Sequence, residues 1–223
     1  MAKVMIIGGH GKIALRAAPL LIESGHEVTS VFRNPAHGED VTATGALPVV
    51  ADVEQLDTAG LAELFQGQQV IVWSAGAGGG NPARTRAVDQ DAAIRSMDAA
   101  LSAGVAQYVM VSYFGSRPDH GVPAENSFVH YANAKAAADD YLRATGLNWT
   151  ILGPSRLTID QPTGRIDART GPGPQGTADA PAPTSRANVA LVIQAVVDAQ
   201  GPRRATIAFT DGQTPINQVI QAK

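Results

Sequence analysis

The chain has 223 residues, of which 44% are hydrophobic and 17% charged, with a formal net charge of −3. That balance belongs to a folded globular protein rather than a disordered one, and the lack of a basic excess argues against nucleic acid as a partner. Cysteine is absent, which removes disulfides, thiolate metal sites and cysteine nucleophiles, and no apolar run approaches the ~20 residues of a membrane helix.

The first residues enter a strand-like run at once, with no secretory leader, so a cytoplasmic protein is expected. Residues 3–7 are short, apolar and β-branched, which favours a strand, and they run into Gly8-Gly9-His10-Gly11. Helical spacing follows over 13–24, with Pro19 inside it and Gly25 as its natural stop. Strands are expected at 27–32, 47–50, 70–73, 108–111 and 148–152. Helices are expected between them at 56–65, 84–103 and 125–144. Strand and helix alternating over 150 residues predict an α/β fold of Rossmann type, a doubly wound and mostly parallel sheet with helices on both faces. From 153 to 183 the texture changes, because Gly and Pro supply 11 of 31 residues. That stretch reads as a lid carrying a short strand at 164–169. A helix at 185–199, a strand at 204–210 and a short helix opened by Thr214-Pro215 complete a small C-terminal flank on a single domain.

The glycine run sits where a dinucleotide loop must sit, after a strand and before a helix. Gly8, Gly9 and Gly11 permit a tight turn and a close approach of backbone amides to a pyrophosphate. His10, Lys12 and Ile13 complete the loop at a helix N-terminus, and Ala14 replaces the third glycine at small cost. Ile13 stands where a P-loop requires Ser or Thr, so that alternative fails. A carboxylate after the second strand would favour NAD, but Arg33 stands there and its planar fork suits a 2′-phosphate, which favours NADP. Asp52 and Val53 after the third strand are placed to border an adenine. Ser74, Ala75 and Gly76 after the fourth are placed near ribose and pyrophosphate.

Ser112 closes the fifth strand, and Tyr131 and Lys135, four apart on the next helix, share a face. An ammonium beside a phenol lowers the phenol's pKa, which would fit Tyr131 for acid–base work, with Ser112 holding a substrate oxygen. His120 reads as a solvent-facing loop residue, Arg186 as an anchor of the late helix, and Trp73 and Trp149 as core. No His/Asp/Glu grouping has metal-ligand spacing, so no metal is expected.

These motifs resemble the short-chain dehydrogenase/reductase superfamily. The likeness runs through GGHGKIA, VFRNP, Ala51-Asp52, AVDQDA, VMVSYF, YANAK, GLNWTILGPSRL and TSRANVA. It is greatest to the atypical, single-domain branch of NAD(P)-binding, epimerase-like proteins, which also resembles flavin reductase/biliverdin reductase B and the NmrA-like redox sensors. The resemblance implies that Gly8, Gly11, Arg33 and Asp52 bind NADP. It makes Ser112, Tyr131 and Lys135 the catalytic set, with Lys135 also holding the nicotinamide ribose and Asp89 as the fourth member. Gly153-Pro154-Ser155 departs from the usual Arg-Pro-Gly. The implied function is an NADP-dependent oxidoreductase acting on a small carbonyl, quinone or flavin-like compound, as monomer or homodimer. A non-enzymatic NADP-binding redox sensor and a sugar-nucleotide epimerase are the alternatives.

Overall fold

A run such as KVMII has no polar side, so a strand made of it needs cover on both faces. In the computed structural model, which describes residues 1–78, 80–170, 182–201 and 203–221, such runs form the middle of a sheet. The chain builds β1 (Lys3–Ile7), α1 (Ala14–Glu23), β2 (Glu27–Phe32), a 3₁₀ turn (Pro35–His37), α2 (Gly38–Thr42), β3 (Leu47–Val50), α3 (Thr58–Leu64) and β4 (Val70–Trp73). One long helix follows in three pieces: α4 (Pro82–Thr85), a π-helical turn (Arg86–Ala92) and α5 (Ala93–Ser102). Next come β5 (Gln107–Val111), α6 (Val129–Ala144), β6 (Trp149–Pro154), β7 (Leu157–Thr158) and β8 (Arg165–Thr170). The described chain closes with β9 (Thr184–Ser185), α7 (Arg186–Asp198), β10 (Ala205–Asp211), β11 (Thr214–Pro215) and α8 (Ile216–Gln221).

Among the described residues the main sheet has nine strands in the order β11-β8-β10-β6-β5-β4-β1-β2-β3. Pairing is parallel from β10 to β3, while β8 runs antiparallel to both β10 and β11. This is the Rossmann-type α/β sheet expected. Alternate residues serve opposite faces. Val4 and Ile6 of β1 join Val70 and Val72 of β4 beneath α1 and α7, whereas Met5, Ile7, Ile71 and Trp73 pack on the other side with Leu61, Met97 and Leu142. After β3 the chain returns to β1's other side as β4, so the winding reverses between β1 and β4. A crevice opens there at the carboxyl ends of the strands.

The last segment differs from its sequence reading. Thr214 and Pro215 pair with Ile166 and Arg165 as a short edge strand, so the last helix starts at Ile216 and Thr214 does not cap it. Proline is tolerated on an edge because a missing N–H costs no ladder bond there. α6 also begins four residues later than the spacing suggested, at Val129. Part of the expected lid, 171–181, lies outside the described residues. Its described flanks are tied by pairing of Leu157 with Thr184 and of Thr158 with Ser185. No helix among the described residues is long and apolar enough to cross a membrane.

Candidate functional site

Gly8 leaves β1 with φ +86°, a region that side chains disfavour. Space is equally restrictive in this loop. An added Cβ would stand 2.7 Å from the Ala75 backbone at Gly8, 2.6 Å from Ser30 Cβ at Gly9 and 3.0 Å from the Gly8 carbonyl oxygen at Gly11. The turn is drawn tight by the Gly8 and Gly9 amides, which donate to the Val31 carbonyl at 3.0 and 2.7 Å, and by the Gly11 amide, which donates to Gly8 at 2.8 Å. Directly behind it α1 begins with no side chain capping its N-terminus. The positive end of its dipole faces the turn with no side chain on it, the kind of helix start that suits an anion.

A cavity of about 310 Å³ opens over this turn. Gly8, His10, Gly11, Arg33, Asp52, Val53, Ser74, Ala75 and Gly76 line it, so these expected residues are brought together. Gly9, Lys12 and Ile13 are not part of its wall. Gly9 fits against Ser30 of β2, Ile13 is buried in the core and Lys12 is exposed. His10 is held by Asp40 at 2.9 Å and stacks on His37 with ring centroids 3.6 Å apart. The Arg33 guanidinium lies 3.6 Å from the Glu54 carboxylate, and Arg84 meets the same carboxylate at 3.6 Å. Asp89 sits on the π-helical turn, where its carboxylate accepts from the Ala77 amide at 3.1 Å and lies against Gly76. Burial pushes the Asp89 carboxyl above its ordinary range, and Lys135, the Ala77 amide and Arg84 pull it back. Asp89 thus positions the loop after β4.

A second cavity, of about 520 Å³, lies past the carboxyl ends of β5 and β6 and includes Ser112 and Tyr131 in its wall. Lys135 is buried and turned away from it. Its ammonium donates to the Val111 carbonyl at 2.8 Å and approaches Met110 Sδ at 3.3 Å. The expected lowering of the Tyr131 pKa by Lys135 is therefore corrected. Burial above all, then the carboxylates Asp89 and Asp139 and the neighbouring Tyr113, push the Tyr131 phenol upward. Ser112 is also engaged, donating to Asp139 Oδ2 at 2.5 Å, and Ser116 donates to the same oxygen at 2.6 Å. Asp139 is fully buried, and burial raises its pKa against the pull of Lys135 and the two serines. A serine has one hydrogen to give, so Ser112 turns lone pairs, not a donor, toward the cavity.

The crevice, the glycine turn and the uncapped helix fit a dinucleotide, and a family model described as NAD(P)H-binding matches residues 8–200. The chain belongs to the NAD(P)H-binding family. It is 30% identical over 239 residues to a UPF0659 protein of Schizosaccharomyces pombe, covering 99% of this chain and 94% of that one. It is 29% identical over 222 residues to the uncharacterized sugar epimerase YhfK of Bacillus subtilis, covering 98% and 99%. A solved structure from Bacillus halodurans, provisionally named an NAD-dependent epimerase/dehydratase, superposes over 100% of both chains at 28% identity and a TM-score of 0.88. A nicotinamide cofactor follows from membership.

For this NAD(P)H-binding protein, sequence reasoning missed Arg84 and Glu54 at the first cavity, and Asp139, Tyr113 and Arg156 at the second. Asp139 had a readable signal, since Tyr131, Lys135 and Asp139 succeed one another at intervals of four on one helix face. Arg84 had none, because it reaches Glu54 from across the crevice. Gly153, where the resembled pattern has Arg, is explained locally, since a Cβ there would stand 3.0 Å from the Tyr113 carbonyl oxygen.

Proposed function

We propose that this protein is an NADP-dependent reductase of a small carbonyl, quinone or flavin-like compound. The observation that carries the reading is the adjacency of the two cavities. The first ends at Ser74–Gly76 beyond β4, and the second begins at Ser112 beyond β5, the next strand in the sheet. A bound nicotinamide would supply hydride. The fit for that group is local: a tight turn that glycine alone allows, since a Cβ at Gly8, Gly9 or Gly11 would strike the Ala75 backbone, Ser30 or the Gly8 carbonyl, and an uncapped helix start behind it.

Tyr131 keeps its proton at neutral pH, because burial and two nearby carboxylates oppose the phenolate. A reduction needs that state. The substrate carbon gains hydride, its oxygen takes the Tyr131 proton, and the phenolate is reprotonated from water. Ser112, its hydrogen given to Asp139, accepts from the resulting hydroxyl and fixes its position. An epimerase, as the Bacillus subtilis relative is named, would begin by oxidising an alcohol and would need the phenolate, which this environment disfavours. The second cavity also favours an enzyme over a redox sensor, which needs no substrate chamber. Support for NADP over NAD comes from Arg33 and Arg84, which both line the first cavity. Each lies 3.6 Å from Glu54, so a 2′-phosphate gains two guanidinium partners by displacing that carboxylate.

Titration of nicotinamide fluorescence tests the cofactor. NADPH is expected to bind more tightly than NADH, and Arg33→Ala should weaken NADPH roughly 10-fold while leaving NADH unchanged. Tyr131→Phe should slow carbonyl-dependent NADPH oxidation by about 10²–10⁴-fold with the NADPH Kd intact. Unaltered turnover would remove Tyr131 from the chemistry, and failure to bind either nucleotide would overturn the whole reading.

A further inference from the structure

We propose that the second cavity takes a planar, conjugated substrate bearing a carboxylate or similar oxyanion, gripped by Arg156 and Arg186. The proposal rests on the reductase reading of the same site and specifies its substrate class. At about 520 Å³ the cavity has the size of a site for a compound of two or three fused rings. One wall is aromatic. Tyr113, Phe128 and Tyr131 lie with ring centroids 5.3 to 5.7 Å apart, the Tyr113–Phe128 pair edge to face and the others tilted. Such a cluster offers faces and edges to a flat π-system.

Among the described residues the charged side chains that line the cavity are arginines: Arg156 follows the carboxyl end of β6 and Arg186 opens α7, and no described Asp or Glu lines the space. Arg33, Arg84, Arg86, Arg117 and Arg143 lie within 4.0 Å of a carboxylate, whereas Arg16, Arg95, Arg165 and Arg204 give N–H groups to backbone carbonyls. Among the described residues Arg156 and Arg186 form no ion pair. Arg186 gives one N–H to the Thr158 carbonyl at 3.0 Å, and its guanidinium carries five donors in all. His120 is tied to its own surroundings, with Nδ1 accepting from the Val122 amide at 3.0 Å and Nε2 paired with Asn133 Oδ1 at 2.8 Å. Two guanidinium groups facing an aromatic-walled space repel one another until an anion joins them. A planar carboxylate matches the fork geometry of both. A neutral sugar would satisfy neither the arginines nor the rings.

The test is calorimetry with 2-naphthoate and 2-naphthylmethanol, a pair differing in charge at one position, on the protein with and without NADP⁺. Naphthoate is expected to bind at least ~10-fold more tightly, the equivalent of one charge-assisted pair. That preference should vanish in the Arg156→Ala/Arg186→Ala double variant and fall in Arg156→Ala alone, where the exposed side chain anchors nothing in the fold. The NADPH Kd, measured on the same samples, should not move. Equal affinity for the two probes, no binding of either, or a preference that survives the double variant overturns the inference. Loss of NADPH binding in the wild type would overturn the reductase reading instead, leaving the probe preference as a separate result.

Discussion

A hydroxyl with a single hydrogen cannot serve two acceptors, and Ser112 spends its hydrogen on Asp139. That bond fixes which side of Ser112 a ligand meets, and it leaves a fully buried carboxyl holding up two serines, with its Oδ1 unpartnered among the described residues. A carboxyl whose pKa is raised on folding binds its proton more tightly folded than unfolded. It therefore favours the fold at low pH, and that contribution is lost as the pH climbs from about 4 through the raised value. Asp139→Asn, which keeps an acceptor for both serines, should raise Tm at pH 8 and change it little at pH 4, where ~1 kcal/mol corresponds to about 2–4 °C for a chain of this size. A variant less stable at pH 8 than at pH 4, relative to wild type, would contradict the sign. Residue identities at this site are legible in the sequence: Ser112 by its strand end, Tyr131 and Lys135 by their shared helix face. Their hydrogen-bond directions are not. Helical spacing tells which side a lysine faces but not that the Val111 carbonyl will claim its ammonium at 2.8 Å.

At the scale of elements, the strands of the parallel core announce themselves because each is a short β-branched or aromatic run between turn residues. β2, β3 and β4 fall where the pattern puts them, at Glu27–Phe32, Leu47–Val50 and Val70–Trp73. Elements that exist only through a distant partner leave no such mark. β7 and β9 are two residues each and pair across the lid segment, and β11 depends on the edge that β8 provides. α2 follows Asn34-Pro35, which reads as a stop, and Asn34 caps the turn by accepting from the Ala36 amide at 3.1 Å. The π-helical turn over Arg86–Ala92 is equally silent, since its composition is that of an ordinary helix. It has a consequence for the site. One wide turn alters the phase of the helix, so Asp89 meets the Gly76–Ala77 loop while Ala93, Met97 and Ala100 of α5 still face the sheet.

For the whole molecule we propose a single folding unit, the C-terminal flank included. One apolar cluster runs from Ile207 and Phe209 of β10 through Leu152, Val109 and Val72 to Val4 of β1 and Leu21 of α1. Phe209→Ala should accordingly cost about 3–5 kcal/mol and shift the midpoint of urea unfolding. With Trp73 as sole tryptophan in a Trp149→Phe background, the same shift is expected at β4. An unmoved Trp73 transition would mean that the first six strands fold without the flank. The position of β10 in the sheet order also sets a condition on time. It is the strand that pairs with β6 on the side away from β5, yet it is made some 50 residues later, after Pro154 and from Ala205 onward. At roughly 5–20 residues per second of synthesis, β6 waits several seconds with its backbone edge open. An open strand edge invites another chain. Slower synthesis across the lid segment is therefore expected to lower the share of newly made protein that reaches the native state.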